Sequence, residues 1–250
     1  MSGSALRPRM ASCYAARVVA APPLVLVPGL LCSARLYANQ LPALWRHAPV
    51  MVADHTRDED MPSMAARVLE SAPPRFALVG LSMGGYLSFE IVRQAPQRVL
   101  KLALLDTMAR PDTAETSAAR RTQMELAVQG RFKDVVDALW PRLVHPARQG
   151  DAQLRALIDT MAEEVGVAAY MRQQRANIGR ADSTATLAQI RCPTLVLVGD
   201  ADALAPPPRA AEMAAGIAGA RLVTVAQCGH LSTLERPEEV TQALCTWLQT

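Results

Sequence analysis

Gly80-Leu81-Ser82-Met83-Gly84-Gly85 constrains this chain more than any other stretch. It follows Arg75-Phe76-Ala77-Leu78-Val79, an apolar run of strand length, and precedes a helical pattern over 86–94. A serine in G-x-S-x-G between a strand and a helix is a nucleophile elbow. The turn is so sharp that its neighbours must be tiny, hence Gly80 and Gly84. It lifts the serine oxygen above the sheet edge and points the following N–H groups at the same spot. The strand before and the helix after give this short pattern its meaning.

Around the elbow, short β-branched or leucine runs alternate with helical patterns. Strands are predicted over 24–27, 50–53, 76–79, 99–105, 194–198 and 220–225, and helices over 36–46, 62–71, 83–94, 207–218 and 237–248. Continuous apolar strands alternating with helices imply an α/β fold, with a mostly parallel central sheet flanked by helices. The middle of the chain differs. Between Met108 and about Ala188 no strand is evident, and helix-forming segments run over 113–129, 132–139, 151–165 and 167–177. Helices without an intervening strand cannot extend a parallel sheet. Residues 108–188 therefore read as a helical cap over the strand ends, and 18–107 with 189–250 as the core. Residues 1–17 read as an N-terminal tail, with Val18-Val19 leading into the first strand.

With 250 residues, one such domain with an insertion is expected. A net charge of +3 with no Lys/Arg block points to neither nucleic acid nor a membrane surface. No apolar run approaches the ~20 residues of a membrane span, and Arg17 interrupts any signal-like core near the start. The five cysteines, Cys13, Cys32, Cys192, Cys228 and Cys245, form no C-x-x-C pair, so neither a disulfide framework nor a zinc site is indicated. Free thiols favour a reducing compartment, and a cytoplasmic location is expected.

A serine nucleophile needs a base and a group that orients the base. Of the four histidines, His230 sits in Gln227-Cys228-Gly229-His230-Leu231, just after a predicted strand. Sites on open α/β sheets form at such strand ends. His47 reads as a helix C-terminal residue, and His145 as surface or pocket rim. His55 lies among Asp54, Asp58, Glu59 and Asp60, but the spacing matches no metal-ligand motif. The acid should follow another strand, and Gly199-Asp200-Ala201-Asp202 does. Asp202 is favoured, Asp200 reads as holding the turn, and Asp106 is the outside candidate. The order Ser82, Asp202, His230 matches this type of elbow. For the oxyanion, donors are expected at the backbone N–H of Met83, at a helix N-terminus, and of Leu30 in Pro28-Gly29-Leu30-Leu31.

Together, Val27-Pro28-Gly29-Leu30, Gly80-Leu81-Ser82-Met83-Gly84-Gly85, the run from Cys192 to Asp202, and Gly229-His230 resemble the α/β-hydrolase fold. The Arg191-Cys192-Pro193 entry and the Gly199-Asp200-Ala201-Asp202 loop are similar to the branch of small esterases, 3-oxoadipate enol-lactonases, cofactor-free haloperoxidases and meta-cleavage C–C hydrolases. Many members have His-Gly where this chain has Pro28-Gly29, and the C–C hydrolases usually carry asparagine where Leu81 stands. Arg180 is similar only by rough position to their substrate-carboxylate arginine and reads as a surface or interface residue.

The resemblance implies a serine hydrolase of a small or medium carboxylic ester, lactone or thioester that acts through an acyl-enzyme, with no cofactor and no metal. C–C bond hydrolysis and a non-turnover ligand receptor on the same fold are the alternatives. The partner is a small-molecule substrate. Phe132, Trp140, Leu143, Met161, Tyr170 and Met171 are the expected pocket lining. Monomer and homodimer are equally compatible with the sequence.

Overall fold

The computed structural model describes residues 21–250. The expectations for residues 1–17, for Val18-Val19 and for Cys13 lie outside them. Six strands form one parallel sheet: β1 (Leu24–Val27), β2 (Val50–Val52), β3 (Phe76–Leu81), β4 (Val99–Leu105), β5 (Thr194–Gly199) and β6 (Arg221–Val225), in the order β2-β1-β3-β4-β5-β6. At the centre Leu26 pairs with Val79, Gly80 with Leu104, and Leu105 with Leu197, and the β3–β4 register shifts by one residue between Phe76 and Ala77. The helices are α1 (Leu41–Leu44), α2 (Met61–Ser71), α3 (Met83–Gln94), α4 (Ala114–Val128), α5 (Phe132–Leu143), α6 (Ala152–Ile178), α7 (Thr184–Leu187), α8 (Pro207–Gly216), α9 (Ser232–Glu235) and α10 (Pro237–Gln249).

The central strands β1 and β3 are apolar and buried at every position because both faces of the sheet are covered there, whereas the edge strand β6 carries exposed Arg221 and Thr224. Val25, Leu78, Leu104 and Val196 face α2, α3 and α8, where Met64, Leu87, Ile91 and Met213 are buried. Leu24, Leu26, Val79, Leu105 and Leu197 face the other way, onto Leu44, Val240, Leu244 and Leu248. Each such fully buried side chain stabilises the fold by about 1.5–3 kcal/mol. Alternation of side chains along a strand thus divides one apolar run between two cores.

Two helical expectations are refined. The helix expected over 36–46 is a 3-10 turn at Ala34–Tyr37 followed by the single turn of α1. Pro42 has no N–H to continue a helix. The Tyr37 hydroxyl donates to Val27 O (2.9 Å) and Gln40 Nε2 to Thr233 O (3.0 Å), so tertiary bonds shape the segment instead. The two helices expected over 151–165 and 167–177 are both present, as the two halves of α6 on either side of Gly166, whose φ of 70° and ψ of 165° are not helical. The segment between β4 and β5 holds α4, α5, α6 and α7 and no strand.

The elbow joins β3 to α3. A Cβ on Gly84 would lie 2.0 Å from Val27 O, so the start of α3 presses directly on β1. Gly84→Ala should therefore destabilise the protein by about 3 kcal/mol, at the upper end for overpacking, because backbone cannot give way as a side chain can. Chemical denaturation at equilibrium measures this, and an unchanged midpoint would contradict it.

Candidate active site

Ser82 sits at the C-terminal end of β3 with φ 56° and ψ −116°. A non-glycine residue held there stores of order 1–3 kcal/mol of backbone strain. Its surroundings over-determine it. Ser82 N donates to Leu105 O (2.9 Å), while Ser82 O accepts from Gly85 N (2.8 Å) and from Thr107 Oγ1 (2.8 Å). The side chain is left to face His230, whose Nε2 lies 2.8 Å from Ser82 Oγ. His230 Nδ1 lies 2.9 and 2.8 Å from the two carboxylate oxygens of Asp202. A carboxylate only accepts, so Nδ1 carries the ring proton and Nε2 accepts from the serine hydroxyl.

Each partner comes from a loop at a strand's C-terminal end, after β3, β5 and β6. Those loops are tied to one another. Asp202 Oδ1 accepts from Leu204 N (2.8 Å) and Ala205 N (2.9 Å). Asp200 accepts from Gln227 N (2.9 Å) and Cys228 N (3.0 Å), so it braces the histidine loop and not only its own turn. Glu235 accepts from Gly229 N (2.9 Å) and from His145 N (2.7 Å). Leu143 O at the end of α5 accepts from His230 N (3.1 Å). Glu235 has no motif to reveal it, since its partners are backbone groups, one six residues before it and one 90 residues before it.

Burial works against a charged imidazole at His230, but the Asp202 carboxylate bonded to it outweighs burial and raises its pKa. Burial would likewise raise Asp202. The charge of His230, the bond to it, and the two loop N–H groups hold Asp202 below the usual carboxylate range. Asp106 is the opposite case. It is buried, it accepts from Gly199 N (3.0 Å), and its other oxygen bonds Ser232 Oγ. Burial, then the charge of Asp202, push its pKa up to about 8. The third candidate acid thus bonds Gly199 and Ser232, while His230 Nδ1 bonds Asp202. Burial also raises the Cys32 thiol to about 12, and Cys228 moves the same way.

Ser82 and His230 open on a cavity of about 250 Å³, also lined by Leu30 and Met83. Leu30 N–H has no acceptor among the described residues. Met83 N–H, the first of α3, has no acceptor within its helix. Of the expected pocket residues, Leu143 and Met161 line this cavity, and Phe132, Trp140, Tyr170 and Met171 do not. The correction is one of helix phase. On α5 the cavity side is Val136, Leu139 and Leu143, and on α6 it is Ile158, Met161 and Ala162. Trp140, one step around α5, donates to Gln149 O (3.1 Å) and lies under the Arg155 guanidinium. Tyr170 is buried against Phe132, ring centres 5.4 Å apart. Met171 is packed, half-buried, against the same core.

The cavity lining also includes the charged residues Asp112, Arg120 and Arg180. Arg120 and Arg180 both pair with Asp112, each at 2.6 Å. Arg180 is not the surface residue expected. It is buried, stacks 4.0 Å over the Tyr86 ring, and donates to Asn177 O and Arg110 O. Asp54, Asp58, Glu59 and Asp60 are used locally. The first three pair with Arg57, Arg67 and Arg175, and Asp60 caps α2 through Ser63 N.

The alpha/beta hydrolase family model matches residues 24–243. The chain belongs to the alpha/beta hydrolase family. A solved esterase of Thermogutta terrifontis, bound to malate, is 30% identical to this hydrolase with a TM-score of 0.83, over 91% of this chain and 89% of the other. A candidate carbamate hydrolase, RutD, of Pseudomonas savastanoi pv. phaseolicola is 28% identical over 91% of this chain and 94% of its own length. The bifunctional biotin biosynthesis protein BioHC of Cellvibrio japonicus is 26% identical over 92% of this chain. The chain spans 48% of that protein, about half its length. No described helix of this hydrolase is long and apolar enough to cross a membrane.

Proposed function

We propose that this protein is a serine hydrolase of small or medium carboxylic esters, lactones or thioesters, working through an acyl-enzyme on Ser82. One observation carries the reading: the hydrogen-bonded row from Asp202 through His230 to Ser82 ends in a cavity where two backbone N–H groups stand open. His230 Nε2 takes the Ser82 proton as Oγ attacks the carbonyl carbon. The oxyanion accepts from Leu30 N–H and Met83 N–H, each such donor lowering the barrier by about 3–4 kcal/mol. The tetrahedral intermediate collapses, and His230 returns the proton to the leaving alcohol or thiol. Water, deprotonated by the same ring nitrogen, attacks the acyl carbon, the Oγ–acyl bond breaks to free the acid, and His230 returns the proton to Ser82 Oγ. Asp202 keeps the imidazole in the required tautomer and stabilises its charged form.

At about 250 Å³ the cavity lies just below the range of ligand pockets, which run roughly 300–1,000 Å³. That favours short acyl groups over lipid chains. The name of one relative extends the substrates worth trying to a carbamate. Quenched-flow intact mass with p-nitrophenyl esters from acetyl to decanoyl, a lactone, a thioester and a carbamate tests the reading. Acyl mass on the enzyme, greatest with short chains and absent in Ser82→Ala, is expected. Hydrolysis that survives Ser82→Ala would contradict it.

The base must be neutral to work. As pH rises through the His230 titration the imidazolium loses its proton, so kcat/KM should rise. Because Asp202 raises that titration, the midpoint should lie above the ordinary imidazole value of 6.5. A pH profile on one ester checks this, and a midpoint below that value would contradict it.

A further inference from the structure

Two buried polar side chains outside the triad, His55 after β2 and Gln173 on α6, converge on the Gly29–Cys32 turn. His55 Nε2 lies 3.0 Å from Gly29 O, and Gln173 Oε1 accepts from Leu31 N at 3.2 Å. Neither bond follows from local sequence, since the partners are 26 and 142 residues apart. The turn itself is closed by Cys32 N donating to Gly29 O (3.1 Å). Its third residue, Leu31, has φ 60°, the sign that type II turns require and that only glycine adopts without strain.

Resting on the serine-hydrolase reading above, we propose that His55 and Gln173 are positioning residues that aim the Leu30 N–H at the oxyanion, one by holding the Gly29–Leu30 peptide from its carbonyl side, the other by holding the next peptide. Gly29 C=O and Leu30 N–H belong to one trans peptide unit, so they point in opposite directions. A donor that fixes the carbonyl therefore fixes where the N–H points. The carbonyl accepts twice, from Cys32 N and from His55, and that polarises the peptide and strengthens its N–H as a donor. The Leu30–Leu31 peptide is the one that turns over when a turn changes type, and Gln173 captures its N–H. That bond also takes Leu31 N–H out of play, which leaves Leu30 as the open donor of the loop.

The ring tautomer follows from the same contacts. Gln173 Nε2 also lies 3.2 Å from His55 Nε2, but the shorter contact is to a carbonyl, which only accepts, so the proton sits on Nε2. Burial lowers the His55 pKa, so the ring is neutral, with one N–H to give. The chain has Pro28 before Gly29, and a support for the loop reaches it from β2 and α6 instead.

The experiment compares His55→Phe, His55→Gln and Gln173→Leu with wild type. It uses a short p-nitrophenyl ester and the rate of phosphonylation by a fluorophosphonate probe, both scaled to folded protein by near-UV circular dichroism. Misaiming an oxyanion donor weakens the transition state alone. His55→Phe should lower kcat and the phosphonylation rate together by about 10–100-fold with KM little changed. His55→Gln, whose amide N–H reaches the same carbonyl, should recover most of the loss. Gln173→Leu should show the same kcat-only pattern at smaller size, and it decides the matter if His55→Phe does not fold. Wild-type kcat in folded Gln173→Leu and His55→Phe would overturn the proposal, and so would His55→Gln as impaired as His55→Phe. Failure of the wild type to label at all would overturn the serine-hydrolase reading as well.

Discussion

Ser82→Ala should lower kcat by about 10⁶-fold while leaving fold and stability nearly unchanged, the scale seen when a triad nucleophile is lost. The hydroxyl has one polar partner, His230 Nε2, and no role in closing the turn. The elbow is held by the backbone of Ser82, through Leu105 O, Gly85 N and the Thr107 hydroxyl, and alanine keeps all three bonds. Initial rates on the best ester of the panel and a denaturation midpoint measure the two parts. A loss of only tenfold would mean that another nucleophile does the chemistry.

Asp202→Asn should cost about 10⁴-fold in kcat, and Asp106→Asn little. The reason is which atom of each amide must point where. Asp202 Oδ1 accepts from Leu204 N and Ala205 N, so the amide oxygen is pinned at that position. The amide NH₂ then faces His230 Nδ1 and donates to it. The ring proton moves to Nε2, which can no longer accept from Ser82. At Asp106 the oxygen is pinned by Gly199 N, and the NH₂ faces the Ser232 hydroxyl, which can accept. With its pKa pushed up to about 8, Asp106 is already mostly uncharged at neutral pH, so asparagine is a close replacement.

A stability difference follows with a definite sign. The folded-state pKa of Asp106 lies above its ordinary 3.8, so the folded protein holds a proton that the unfolded chain releases, and wild type loses stability as pH rises between the two. Asp106→Asn lacks that loss. Its melting temperature relative to wild type should climb with pH and level off above about 8. If instead Asp106→Asn is the inactive variant and Asp202→Asn the active one, the roles of the two carboxylates are reversed.

The parts of this protein most legible in its sequence are those where local sterics leave one solution. The elbow needs small residues at 80 and 84, and a Cβ at Gly84 would strike the Val27 carbonyl. The strand ends carrying Asp202 and His230 were readable because apolar runs stop abruptly at them. The cavity wall was not readable. Whether Leu139 or Trp140 faces the substrate depends on the rotation of α5 by one residue, which its neighbours set and its own pattern does not. Arg180 was misplaced for a related reason. A charged residue near the end of an inserted helix looks solvent-exposed until Asp112 and the Tyr86 ring are brought to it by folding. His55 sat in an acidic run whose carboxylates turned to nearby arginines and a helix cap, while its ring turned inward to Gly29.

The most direct measurement is fluorophosphonate labelling with intact mass and peptide mapping, on wild type, Ser82→Ala and His230→Ala. A single adduct on Ser82 in wild type, none in Ser82→Ala and greatly slowed labelling in His230→Ala is the predicted result. Folded wild type that takes up no label, or takes it on any residue other than Ser82, would contradict the account.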